Sequence, residues 1–400
     1  MKLRRSLLGS LLALSLAGCG GRTGLVESPA VADAAATCVA PGPVCVRDVE
    51  DPCGSAVPVA ALCEGIAWRC PDGAREHERV AEVAECVPTT PDGGTVRGSL
   101  ARVPTDDGRC LWVAGESIAR DGTSTRNVAF EADTGGAFGR CPATLRPAVN
   151  VAVEAVRVEG GDPREIVQVT GGYWLGGPWV TYRRFRADGG PHFGLTLVGS
   201  GVARWTAGGV VLPRAPDPRF ASMDLGDAAL ALGGRAYVYG CPGPPDFLTE
   251  RCVLARFAPG GAGEVFVGGG SPWAPLSAAA RAAPVFDAGP WVSSVFATPR
   301  GELHHVSVVG FGSELRDRRA SAPEGPWSAV TSLGRCALPS DDASAYCAGP
   351  VAHVELSDPT RPDEVWVSYG VGTTASDGAD RTRARPLDYA TRFARVTLPR

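Results

Sequence analysis

The chain has 400 residues, 13 cysteines and a formal net charge of −4, and Lys2 is its one lysine. Beyond position 2 no amine remains for a Walker-type phosphate loop, a pyridoxal Schiff base or a kinase strand lysine, so those classes and their cofactors are excluded. Hydrophobic residues make up 44% of the chain, with 52 glycines and 34 prolines, a composition that supports a large core cut by many turns.

In chain order, the N-terminus MKLRRSLLGSLLALSLAGCG sets Lys2, Arg4 and Arg5 ahead of an apolar run from Leu7 to Leu16. This is a secretory pattern, too short for a comfortable membrane span. Leu16-Ala17-Gly18-Cys19 resembles the bacterial lipoprotein box, which implies that residues 1–18 are a signal peptide and that Cys19 is acylated. Gly20 in place of an aspartate implies an outer-membrane destination in a Gram-negative cell. Residues 19–36 are small, polar and aperiodic and read as a flexible tether. Loss of the leader makes the remainder more acidic, and no long arginine-rich run survives, so nucleic acid is not an expected partner. The expected membrane contact is the lipid on Cys19.

Residues 37–90 read as a cysteine-rich module. Twelve cysteines follow Cys19, an even number that favours disulfides in an exported chain. Cys38, Cys45, Cys53, Cys63, Cys70 and Cys86 fall close together and predict three bridges among themselves, with connectivity open. Cys110 and Cys141 are expected to close one segment, while Cys241 with Cys252 and Cys336 with Cys347 are expected to staple long loops. No Cys-x-x-Cys occurs, and no metal site is expected.

Residues 100–400 lack amphipathic helical periodicity and show short β-rich runs bounded by Gly, Pro, Asp and Ser. Gly233-Gly234 between two such runs is a hairpin signal. The runs fall into five groups starting near 110, 166, 227, 291 and 352. Such even spacing predicts an all-β fold, a five-bladed β-propeller preceded by the small disulfide-rich module. A β-sandwich is the alternative, but the strands are too many and too evenly grouped.

Several segments carry a resemblance. LWVAGESIARDGTSTRNVAFEAD (111–133) is similar to a first-blade pattern, with Glu116-Ser117 after Gly115 where Asp-Thr is usual, and with Asn127 kept. GDAALALGGRAYVYGC (226–241) and VLARFAP (253–259) look like a middle blade. ELHHVSVVGFGSELRDRRASAPEGPW (302–327) and VAHVELSDPTRPDEVWVSYGV (351–371) look like the last two. In the latter, His353 and Glu355 match a His-Pro-Glu-Leu-like motif with Val354 in place of proline. Together, over roughly 105–398, the chain resembles the uncharacterised bacterial exported proteins of the domain of unknown function 4185 family. That family is similar in fold to the five-bladed propeller glycoside hydrolases of arabinanase and β-xylosidase type.

A propeller gathers its inner strands on a central funnel, and glycoside hydrolysis needs two carboxyls across a glycosidic bond. Glu116, Asp227 and Glu355 are the candidate catalytic carboxylates, with Asp224 and Glu302 in reserve. Asn127, Trp174, His304 and His353 are the candidate ligand-binding residues. His353 and Glu355, two apart, are expected to share one side of a strand. His304 and His305 must face opposite sides, so at most one reaches the funnel. Trp327 is expected in the core. Three functions stay open: a propeller binding a carbohydrate or other envelope ligand in its funnel, a glycoside hydrolase, and a protein-interaction surface lipoprotein.

Overall fold

The computed structural model describes residues 85–131, 144–148, 151–190, 194–215, 223–242, 250–260, 263–288, 293–308 and 310–400, with Pro142, Phe220 and short segments between 43 and 76. The expected signal peptide, Cys19 and the tether lie outside the described residues, as do Cys38, Cys141, His77, His192 and Trp291.

Five antiparallel sheets follow one another along the chain. Blade 1 is built from Thr95–Pro104, Cys110–Ile118, Ser124–Glu131 and Arg146–Pro147. Blade 2 comprises Glu165–Trp174, Pro178–Gly190 and Gly194–Arg204. Blade 3 starts with Leu225–Leu232, Arg235–Gly240 and Glu250–Phe257, and shorter strands follow. Blade 4 is Ser294–Ala297, Leu303–Val308, Glu314–Ala320 and Thr331–Arg335; blade 5 starts with Ala345–His353, Glu364–Thr373 and Arg392–Thr397.

The first strand of each blade touches the first strand of the next, and that of blade 5 touches that of blade 1. A closed ring of five blades follows, as expected from the sequence. The packing repeats the same count. Each of the five hydrophobic clusters joins two neighbouring blades, from Val103 and Val113 against Val167 and Val180 in the first pair to Trp112 against Trp366 and Phe393 where the ring closes. Successive side chains point to opposite faces of a blade, as where Leu111 and Val113 join one cluster and Trp112 and Ala114 another, so both faces find a partner only when the ring is complete.

Closure is secured from the N-terminal side. Glu85–Cys86 pairs antiparallel with Ala394 and Phe393 and becomes the outermost strand of blade 5. The ring thus takes in a piece of the stretch assigned to the cysteine-rich module. It also begins earlier than expected, at Thr95. In TVRGSLARVP two arginines and a glycine break the apolar alternation, because the strand shifts register between Arg97 and Leu100. Gly98 sits in that shift at φ 82°, and a Cβ on the facing Gly370 would lie 2.9 Å from its Cα. Gly233-Gly234 makes the predicted hairpin, with φ 58° and 71° and Leu232 opposite Arg235.

The disulfides correct two expectations. Cys45 pairs with Cys70, Cys241 with Cys252 and Cys336 with Cys347, the last two as the spacing predicted. Cys110, however, pairs with Cys53 and not with Cys141. The N-terminal cysteines therefore do not form three bridges among themselves; one of them fastens the module to the second strand of blade 1. Sequence distance misled here, because the module folds back against the ring. Cys63 and Cys86 are also disulfide-bonded.

Candidate functional site

The inner strands run side by side, so the ring has a leading rim where they begin and a trailing rim where they end. The candidate carboxylates divide between the two. Glu116 lies at the leading rim, opposite Arg97 and Arg126 in the sheet of blade 1. Its side chain is 37% exposed, Ser124 Oγ donates to it, and Arg97 Nη1 stands 3.9 Å away.

Asp227 also belongs to the leading part of its strand but is fully buried. It occupies the register shift that separates Leu225 from Ala228. There it accepts the Cys241 N–H at 2.6 Å and forms an ion pair with Arg183 from blade 2, Nε to Oδ1 at 2.7 Å. Burial pushes its pKa up to about 6 against the pull of Arg183 and the Cys241 amide, and Asp224 adds to the rise. Asp224 is itself raised by burial and holds a left-handed backbone at φ 44°. A carboxyl poised near neutrality is useful only if substrate reaches it. Asp227 is 0% exposed, and its oxygens face a guanidinium and an amide.

Glu355 lies at the trailing rim, in the short helical turn Val354–Leu356 that follows the inner strand of blade 5. His353 Nδ1 is 2.9 Å from its Oε1, Trp112 Nε1 donates to the same oxygen at 2.8 Å, and Arg102 Nη1 lies 3.3 Å from Oε2. The predicted meeting of His353 and Glu355 is therefore real. Burial works to raise the Glu355 pKa, but His353 and Arg102 outweigh it and the net shift is downward; burial lowers that of His353. Both members of the pair are buried. Arg102 also donates to the Cys53 carbonyl at 2.8 Å, which ties the N-terminal module to this rim. Glu355 bonds Trp112, four residues along the strand from Glu116, a span of roughly 13 Å. The carboxyls stand at different levels of the ring, whereas a glycosidase pair needs about 5–9.5 Å.

The expected ligand-binding residues are mostly interior. Asn127, at φ 50°, is fully buried and its Nδ2 donates to the Val156 carbonyl at 3.2 Å, so it fastens blade 1 to the next segment and does not face solvent. His304 is buried against Phe296 with Nδ1 3.1 Å from Asp317. His353 gives its other nitrogen to Ser368, at 2.7 Å. None of these three can meet a ligand without the ring opening. Trp174 is half-buried at the trailing end of its strand, away from Glu116. His305 stacks on Phe286 at 4.2 Å beside Trp327, so the two histidines do face opposite ways. Trp327 packs on Tyr239 and Phe286, as expected of a core residue.

Along the axis, Arg102, Thr170, Ala228, Ser293 and Val351 from the five blades enclose about 20 Å³. That is room for about one water at this level of the axis. Among the described residues, a larger opening lies off the axis at the leading rim. Between blades 1 and 2, a cleft of about 570 Å³ is lined by Ser124, Thr125, Arg126, Glu154, Arg157 and Glu165, among others. Sequence reading named none of these except through Glu116, which touches Ser124. Nor did it pair Arg183 with Asp227 or Arg102 with Glu355. A signal existed in WVTYRRFR, where two arginines interrupt an apolar strand, the mark of buried cations that need partners.

No family profile and no curated protein matches the chain. Solved structures do. A presumed hydrolase of Bacteroides ovatus superposes with a TM-score of 0.51 at 14% identity, over 76% of this chain and 86% of its own. A GH43 enzyme of Xanthomonas citri gives 0.44 at 13% identity, over 78% and 90%. The α-L-arabinofuranosidase of Podospora anserina, solved with cellotriose, gives 0.42 at 12% identity, over 78% and 95%. At such identity the likeness concerns the fold alone: this chain shares its overall fold with the Bacteroides ovatus structure.

Proposed function

We propose that the protein is a lipid-anchored envelope protein whose propeller binds a carbohydrate at its leading rim without cleaving it. One observation carries this reading. The open polar cleft lies at the leading rim, while Asp227 and Glu355, two of the three candidate carboxylates, are buried in arginine ion pairs. A hydrolase needs one carboxyl kept protonated and another free to attack or activate water. Buried pairs of this kind instead lock neighbouring blades. The shared fold of sugar-processing propellers makes a glycan the natural ligand class, and the disulfides suit an oxidising compartment. The likeness of residues 105–398 to the uncharacterised exported family agrees with this placement. Anchoring rests on the lipoprotein-like box at Cys19, with the outer membrane of a Gram-negative cell as the destination.

The test is a panel of envelope and plant polysaccharides offered to the full-length protein in detergent, with binding and release of reducing ends measured side by side. Saturable binding with no new reducing ends is the expected result; steady release would assign a hydrolase. Cys19→Ala is expected to abolish labelling by a radioactive fatty acid and to free the protein from the membrane fraction. Labelling that persists in the variant refutes the anchor.

A further inference from the structure

The cleft between blades 1 and 2 is lined by Arg126, Arg157 and three carboxylates, two of which are already paired with arginines outside the lining. We infer that it is a subsite for a carboxylate-bearing polysaccharide, a uronate chain, whose acid groups are received by Arg126 and Arg157. This rests on the carbohydrate reading above and narrows it to a ligand class.

Arg126 comes from the third strand of blade 1, and Arg157 from the short strand Val156–Val158 that pairs in parallel with Val210–Leu212. Both are exposed and both line the cleft. The acidic groups around them are largely engaged already. Asp162 is gripped by Arg164 at 2.8 Å, and that hydrogen bonding lowers its pKa to about 2. Glu165 is held by the buried Arg184 at 2.9 Å. Glu116, behind Ser124, has Arg97 within 3.9 Å. Glu154 alone of the carboxylates lining the cleft stands without a cation among the described residues.

Against that single free acid stand two arginines, neither ion-paired among the described residues. Arg126 lends Nη1 to the Glu165 carbonyl at 3.3 Å and keeps the rest of its fork free. A guanidinium fork matches a carboxylate in two parallel hydrogen bonds, a geometry that favours acid sugars over neutral ones. Ser124 and Thr125 add hydroxyls for the sugar ring. The described walls hold no aromatic ring on which a neutral sugar could stack, so charge is the stronger source of selectivity. A volume of about 570 Å³ falls in the range of small-ligand pockets.

The experiment titrates the full-length protein in detergent with polygalacturonate, neutral galactan and dextran sulfate. Polygalacturonate is expected to bind best, with Arg126→Gln and Arg157→Gln each weakening it roughly tenfold. Glu154→Gln, which removes the one opposing charge, is expected to tighten it about threefold. These three residues are surface groups, so unchanged melting curves will separate lost binding from lost fold. Equal affinity for dextran sulfate, or variants that leave polygalacturonate binding untouched, overturns the assignment. Binding of galactan but not polygalacturonate also overturns it while leaving the carbohydrate reading intact. Failure of every polysaccharide to bind overturns both.

Discussion

His305 offers a quantitative test of the interior. It is 0% exposed, stacked 4.2 Å from Phe286 and 6.1 Å from Trp327, and neither ring nitrogen has a hydrogen-bond partner among the described residues. Burial, helped by Arg318, pushes its pKa down to about 3. The folded protein therefore keeps the imidazole neutral at pH values where the unfolded chain, titrating near 6.5, takes up a proton. The sign follows: stability from this group is fully present above pH 6.5 and is lost as pH falls toward 3, at about 1.4 kcal/mol per pH unit. Between pH 6.5 and 5 the loss is about 2 kcal/mol. His305→Phe keeps a ring between Phe286 and Trp327 and removes the titration. Repacking adds a constant of either sign, because an unpaired polar group disappears while a bulkier ring arrives. The slope with pH is the readout that this constant cannot imitate. Urea unfolding followed by tryptophan fluorescence from pH 7 to 4.5, with disulfides intact, should show the variant losing less stability than the parent, by about 2 kcal/mol at pH 5. All other titrating groups are common to both proteins. Parallel curves would falsify the claim that the fold holds His305 neutral.

Asp227→Asn removes the ionisable group that faces Arg183 and the Cys241 amide, and denaturant midpoints of variant and parent should differ more at the acid end than at pH 7. Because the folded pKa of Asp227 is raised to about 6, its contribution is greatest below pH 3.8 and is lost as pH rises through 6, so the penalty of the variant should depend on pH in that window. Arg102→Ala strands the buried Glu355 carboxylate and releases the Cys53 carbonyl; a loss of about 3 kcal/mol is expected. Limited proteolysis should then cut the N-terminal module faster while the ring persists.

The ring was legible in the sequence because its signals are local. Strand runs, the Gly233-Gly234 turn and the two short-range disulfides each need only neighbours in the chain. Blade 1 was misread at its start because a register shift at Arg97–Leu100 hides the period on which strand recognition relies. The Cys53–Cys110 bridge and the Glu85–Cys86 strand escaped because they join segments far apart in sequence and near only after the ring closes. For the candidate site, residue types were easier to read than surroundings. His353 and Glu355 were placed together correctly, yet their burial comes from Trp112, Arg102 and Phe393, which belong to other strands. Asp227 was selected as a strand-opening acid, and the same position in the register shift turns it inward to Arg183. Polar residues near the axis were equally consistent with a site or with blade-to-blade locks. The partners that bear on that choice come from other strands.

The absence of lysine from the body of the chain acquires a structural meaning in the buried arginine joints, within a blade as well as between blades. Arg184 is 1% exposed and donates to the Pro213 carbonyl at 2.9 Å, the Arg214 carbonyl at 3.0 Å and Glu165 at 2.9 Å. Arg183 likewise serves both Asp227 and the Cys241 carbonyl, and Arg102 both Glu355 and the Cys53 carbonyl. Each joins a carboxylate to backbone oxygens at a fixed angle, which a planar fork does and a single ammonium does not. Arg184→Lys conserves charge, so a purely electrostatic lock would tolerate it. The geometric argument predicts that one or two acceptors lose their donor inside the protein, a cost of about 2–4 kcal/mol. Denaturant unfolding of the variant decides the matter. A loss under about 0.5 kcal/mol, the scale of an ordinary surface change, would mean that charge alone holds these joints and that the lysine-free composition has another origin.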